Sequence, residues 1–140
     1  MFNRILLAVD GSEHAVHAAK VAAELAHRMK SVELRIVTAY DPIPPYLGEP
    51  NLQVAIDARL IEAQEILKRA VELVGDSNVD VHTELIEGNP AEAIIEVAQT
   101  RNSDVIVMGS RGLGRLAGLL LGSTSQKVVS HAPCPVLIVR

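Results

Sequence analysis

Ile5-Leu-Leu-Ala-Val-Asp-Gly-Ser12 sets the architecture. Five consecutive apolar residues, Ile5 to Val9, present no polar face. A strand there must be covered on both sides, as in a parallel sheet between helices. Asp10-Gly11 breaks the run, and Ser12 caps an alanine-rich helix reaching about Lys30. Val16, Ala19, Ala23 and Ala26 recur at helical spacing and are read as its buried face.

The same alternation continues along the chain. Val32 to Ala39 reads as a second strand, and Tyr40 to Pro50, with four of the seven prolines, as a surface loop. A long helix is expected over roughly Asn51 to Val74, with Val54, Ala58, Ile61, Ile66 and Ala70 on its inner side, ended by Gly75-Asp76. Val79 to Ile86 alternates as a third strand. Asn89-Pro90-Ala-Glu92 is a helix start with cap, first-turn proline and an acid three residues on, and that helix ends near Arg101. Asp104 to Gly109 is a fourth buried strand, a short helix begins at Ser123, and Val136 to Val139 is the last strand. Strands separated by helices imply a parallel doubly wound sheet with right-handed crossovers in a single domain, residues 1–140. Ligands of such sheets sit beyond the carboxyl ends of the strands, which places Asp10-Gly11 and Met108-Gly109 on either side of the crevice.

Composition narrows the function. The chain of 140 residues carries 13 Lys+Arg and 17 Asp+Glu, a net charge of -4 that gives no whole-molecule attraction for nucleic acid or anionic lipid. Its only aromatics are Phe2, Tyr40 and Tyr46, too few to stack bases or sandwich a flavin. The charge-free stretches Leu116–Gln126 and Val128–Val139 are too short to span a bilayer. The acid at position 10 interrupts what would be a signal peptide's apolar region, and Cys134 is a lone cysteine; the expectation is a cytoplasmic protein. All the acids lie at or before Asp104. Residues 105–140 hold Arg111, Arg115, Lys127 and Arg140 with no acid, so the tail suits an anion.

That tail contains Gly109-Ser-Arg-Gly112-Leu-Gly114-Arg-Leu-Ala-Gly118-Leu-Leu-Leu-Gly122-Ser-Thr-Ser-Gln126. Glycines let main-chain N–H groups approach a ligand. Ser123 to Gln126 reads as a capping box whose helix start, with its hydroxyls and positive dipole end, suits phosphate. No lysine follows Gly122, so the segment is not a Walker A loop. Gly112-x-Gly114-x-x-Ala117 matches the dinucleotide pattern, but no later acid is present to hold a ribose.

Gly109-x-x-Gly112, nine residues, then Gly122-Ser123 resembles the glycine signature of ATP-binding universal stress proteins. The resemblance extends to Asn3–Ser12, Asp104–Arg111 and Ser130–Val139, and so to nearly the whole chain. It implies a flavodoxin-like, or adenine nucleotide alpha hydrolase-like, doubly wound five-stranded parallel sheet of order 3-2-1-4-5. It also implies ATP, with Mg²⁺, bound between the first and fourth strand ends. Ala8, Val9 and Asp10 would meet the nucleoside, and main-chain groups of Ala39 or its neighbours Val37 and Thr38 the adenine. Met108, Gly109, Arg111 and Gly112 would approach ribose and phosphates, with Gly122, Ser123, Thr124 and Ser125 closing over the phosphates. A homodimer through Val136–Val139 is implied too, and an apolar edge strand invites the same pairing.

Other residues read more simply. Asp10 alone would be a turn residue; its place opposite Gly109 favours the site. His14 and His17 lack a third metal ligand and read as a solvated face, so no metal site is expected from side chains. Arg111 and Arg115 are solvated charges or phosphate contacts, and Leu116 with Leu119–Leu121 a lid or core packing. His131 and Cys134 are accompanied by no base-and-orienter constellation, and no residue of the loop is a general base, so no catalytic residue is expected. The reading is a nucleotide-responsive stress module that binds ATP and hydrolyses it slowly at most. The rivals are a dedicated ATP-hydrolysing or adenylyl-transferring enzyme and a nucleotide-free interaction protein. No residue identifies a protein partner.

Overall fold

The computed structural model describes residues 2–75, 78–111 and 121–140. The elements are β1 (Arg4–Ala8), α1 (Glu13–Met29), β2 (Glu33–Tyr40), α2 (Asn51–Val74), β3 (Asp80–Glu87), α3 (Pro90–Thr100), β4 (Val105–Gly109), α4 (Ser123–His131) and β5 (Val136–Val139). All strands pair in parallel in the order β3-β2-β1-β4-β5, the flavodoxin-like arrangement expected from the sequence. The segment read as loop contains one 3-10 turn, Pro45–Leu47, opened by a proline where a lost N–H matters least.

Two cores flank the sheet. Ile5, Leu7, Leu34, Ile36, Val105 and Val107 meet α1 and α2 on one face. Leu6, Ala8, Val37, Ile106 and Met108 meet α3 and Val128 of α4 on the other. Both faces of β1 and β4 are therefore buried, which is why these strands read as unbroken apolar runs. Asp104 Oδ2 accepts from the N–H groups of Asn3 and Arg4 at 3.0 and 2.9 Å, aligning the starts of β1 and β4.

Two helix faces differ from expectation. The buried face of α1 is Ala15, Ala18, Ala19, Ala22 and Ala26, with Val16 and Ala23 at its margin. In α2 the buried residues are Ala63, Leu67, Ala70 and Val74, and Ile66 is half-buried, whereas Val54, Ala58 and Ile61 are exposed. At 24 residues α2 is about 36 Å long. The strands beneath it have at most eight residues, or about 26 Å, and every buried residue of α2 lies in its second half.

α3 begins as read: Asn89 accepts from Glu92 N at 3.2 Å and Pro90 occupies the first turn. α4 does not. Gly122 is its cap residue, in extended conformation, Ser123 is already helical, and no side chain among the described residues caps the end. Gln126 Nε2 instead donates to Leu121 O at 3.3 Å, so the capping box is not formed.

Candidate functional site

The notch at the carboxyl end of the sheet follows from unequal strand lengths. β1 ends at Ala8, paired with Val37, while β2 continues to Tyr40. Val9 N still donates to Val37 O at 3.0 Å, and Gly88 N donates to Tyr40 O at 2.9 Å on the other side. Odd residues of β2 thus aim their main-chain groups at β1 and even ones at β3. The next bond of the ladder would run from Ala39 N–H to Val9 O, but the Thr38 hydroxyl donates to Val9 O instead, at 2.7 Å. Among the described residues the Ala39 N–H and C=O have no partner on this side, and they face the notch.

Into this notch opens a slot of about 90 Å³ bordered by Ala8, Val9, Asp10, Ala39, Met108, Gly109, Thr124 and Ser125, all expected from the sequence. Val37, Pro90 and Ile94 give it an apolar wall, and Ser12 and Ala15 complete the border. Pro90 and Ile94 were not anticipated, although the clear start of α3 straight after β3 carried the signal: in a doubly wound sheet that helix begins at the same end as the site.

Asp10 Oδ1 accepts from Ser12 N at 2.9 Å, and Ser12 Oγ accepts from Ala15 N at 3.2 Å, so the turn fixes the carboxylate and caps α1 together. Across the notch, Ser125 Oγ donates to Gly109 O at 2.8 Å and Ser110 O at 3.2 Å. The buried Ser125 hydroxyl is therefore engaged in holding the end of β4 against α4. Gly122 N donates to Ser110 O at 2.7 Å. Among the described residues nothing pairs with the N–H groups of Ser123, Thr124 and Ser125 at the positive end of α4. Ser123 is exposed, Thr124 and Arg111 are half-buried, and Gly112 and Arg115 lie outside the described residues, as do Leu116, Leu119 and Leu120.

Gly109 has a packing reason that sequence does not reveal. A Cβ there would lie 2.7 Å from His14 Cβ, 3.0 Å from the His14 carbonyl carbon and 3.2 Å from Ala15 N. The first turn of α1 rests directly on the end of β4. The two histidines read as a solvated face also make specific contacts: His14 Nδ1 lies 2.7 Å from Ser110 Oγ, and His17 Nδ1 donates to Arg140 O at 2.9 Å. No group of three His, Cys, Asp or Glu side chains among the described residues is arranged to hold a metal. Cys134 is half-buried, and burial, reinforced by the Asp104 charge, pushes its thiol above the usual range.

A larger cleft, about 640 Å³, lies between α1 and α2, floored by Ala15, Ala19, Ile66, Ala70 and Leu73. It shares Val9, Asp10, Ser12 and Ala15 with the slot. Size alone would favour it as a ligand site. Its charged border, however, comes from Glu62, Glu65, Lys68, Arg69 and Glu72 of α2, whereas the slot is bordered by the start of α4 and by the Ala39 main chain.

The universal stress protein family profile matches residues 1–140. A universal stress protein of Thermus aquaticus is 49% identical over 140 residues, covering 100% of both chains. The solved UspA of Lactobacillus plantarum superposes with a TM-score of 0.87 at 29% identity, over 99% of this chain and 98% of that one. A universal stress protein crystallised in complex with cAMP superposes with a TM-score of 0.64 at 29% identity, over 97% and 95%.

Proposed function

This chain belongs to the universal stress protein family, and from that membership we propose that it binds an adenine nucleotide, ATP, in the notch between β1 and β4. The observation that supports the proposal is the pair of main-chain groups on Ala39 that have no partner among the described residues. One donor and one acceptor, side by side at the mouth of an apolar slot, match the ring nitrogen and amino group on an edge of adenine. Val37, Ile94 and Met108 would cover the base. Asp10, held by Ser12, would accept from a ribose hydroxyl. The uncapped start of α4 would receive phosphate on the N–H groups of Ser123 to Ser125, as helix N-termini do. The related protein solved with cAMP supports the class of ligand.

Mg²⁺, when present, would be held chiefly by phosphate oxygens and water, since the described residues offer no three-ligand cluster. Arg111 and Gly112 belong to the same proposal as phosphate contacts. None of the slot's residues is placed as a general base for hydrolysis, so binding, with turnover slow at most, is the activity proposed: a cytoplasmic, nucleotide-responsive regulatory module. β5 is the sheet edge beyond β4, with Leu137 exposed on it, and is the strand proposed to pair with a second copy.

Isothermal titration with ATP, AMP and cAMP, beside mass spectrometry of any small molecule that copurifies, tests the proposal. ATP should bind, and Gly122→Val should abolish binding while leaving the fold intact. Absence of binding by every adenine nucleotide at millimolar concentration refutes it. Sedimentation at micromolar concentration tests the dimer, and a monomer alone would refute the β5 pairing.

A further inference from the structure

Asp10 and the start of α4 come from distant parts of the chain, and one side-chain bond ties their supports together. His14 Nδ1 lies 2.7 Å from Ser110 Oγ across 96 residues of sequence. Ser110 is 2% exposed, and its other polar atoms are engaged. Its N–H donates to Val139 O at 2.7 Å, and its carbonyl accepts from Gly122 N at 2.7 Å and Ser125 Oγ at 3.2 Å. Ser110, directly after β4, therefore joins the end of that strand to the cap of α4 and to the end of β5. The His14 imidazole is the partner of its hydroxyl. His14 also lies in the first turn of α1, just beyond the Asp10–Ser12 turn, with its main chain seated on Gly109. It does not border the slot.

We infer that His14 is a positioning residue, which holds the Asp10 turn and the α4 N-terminus at the separation that one ligand needs to touch both. The inference rests on the nucleotide reading above and adds to it a residue that touches no ligand. It has a consequence that general destabilisation does not share. A ligand confined to the nucleoside half is indifferent to the separation, whereas one reaching from Asp10 to α4 depends on it. Adenosine is the first kind and ATP the second.

The test is titration of the full chain with adenosine and with ATP, in wild type, His14→Ala, His14→Asn, Ser110→Ala and the His14→Ala/Ser110→Ala double variant, with a thermal melt of each sample. His14→Ala should weaken ATP roughly 5- to 10-fold, the scale of one hydrogen bond, and leave adenosine within about twofold. His14→Asn, whose side-chain amide reaches the place of Nδ1, should restore ATP affinity. Ser110→Ala and the double variant should match His14→Ala, because the pair acts as a unit. Equal weakening of both ligands, no weakening of either, or additive losses would overturn the inference while the nucleotide reading stands. A wild-type protein that binds neither ligand would overturn both. Should His14→Ala not fold, the Ser110→Ala and His14→Asn titrations decide on the same split.

Discussion

Gly109→Ala separates two reasons for the glycine that ends β4. Gly109 is not in the left-handed region, so alanine meets no backbone strain there. If the glycine served only ligand approach, Gly109→Ala would leave the ligand-free protein unchanged or stabilise it by about 0.4–1 kcal/mol, through a less flexible unfolded chain. The structure reverses that sign. The new methyl would lie 2.7 Å from His14 Cβ and 3.0 Å from the His14 carbonyl carbon, against an optimum of about 3.5–4.0 Å between carbons. The obstacle is main chain in the first turn of α1, which cannot rotate away. Its neighbour Ala15 is buried, and His14 is bonded to Ser110. Over-packing of this kind costs about 1–3 kcal/mol, and a rigid helix puts it near 3 kcal/mol. Urea denaturation of nucleotide-stripped protein should show a lower midpoint at unchanged slope, and a melt should fall by roughly 6–12 °C. A Gly109→Ala protein as stable as wild type without ligand would refute the reasoning.

Two further outcomes follow from single groups. Cys134, its thiol pushed up by burial first and by Asp104 second, holds less thiolate than a free cysteine at neutral pH. Alkylation should therefore be several-fold slower than in the urea-unfolded chain and should accelerate as pH rises; equal rates folded and unfolded would contradict it. Arg35, with its side chain 10% accessible, lies 3.1 Å from Glu33 and 3.5 Å from Glu84. Arg35→Leu would remove the cation between Glu33 and Glu84, while Glu84 keeps its 3.0 Å pair with Arg101. It should cost about 2–4 kcal/mol in urea denaturation, short of a fully buried pair because both carboxylates keep some contact with water; a loss under about 0.5 kcal/mol, typical of a surface change, would contradict the burial argument.

The parts of this fold that were legible in the sequence are those with strong local contrast. β1 and β4 are apolar on both faces, and Asn89-Pro90 marks the start of α3 to the residue. The buried face of α1 was placed off-centre because a helix so rich in alanine offers little hydropathy contrast between neighbouring positions. The inner face of α2 was placed at Ile66 and Ala70 but out of phase in the first half, where Leu52, Ala55, Ile56 and Leu60 are partly buried and Val54, Ala58 and Ile61, on the other side, are as apolar. At α4 both Gly122 and Ser123 suit a cap, and only the backbone conformation distinguishes them. The contacts of Gly109 and Ser110 with His14 join residues about 95 positions apart, and no local pattern reports them.

Strand length shapes the candidate site more than its glycines do. β1 has five residues and its neighbour β2 has eight. A doubly wound sheet with strands of equal length would satisfy its own main-chain groups up to the last row. Here β1 turns away at Val9-Asp10, Thr38 supplies the bond to Val9 O that Ala39 would have made, and Ala39 keeps a donor and an acceptor unspent among the described residues. The turn that shortens β1 also sets Asp10 beside the slot and starts α1, whose first turn is seated on Gly109. One early chain reversal thus produces the open amides, the carboxylate and the support of the opposite wall. Two further paired residues in β1 would consume the Ala39 groups and move Asp10 out of the notch, leaving the glycine segment intact with nothing facing it.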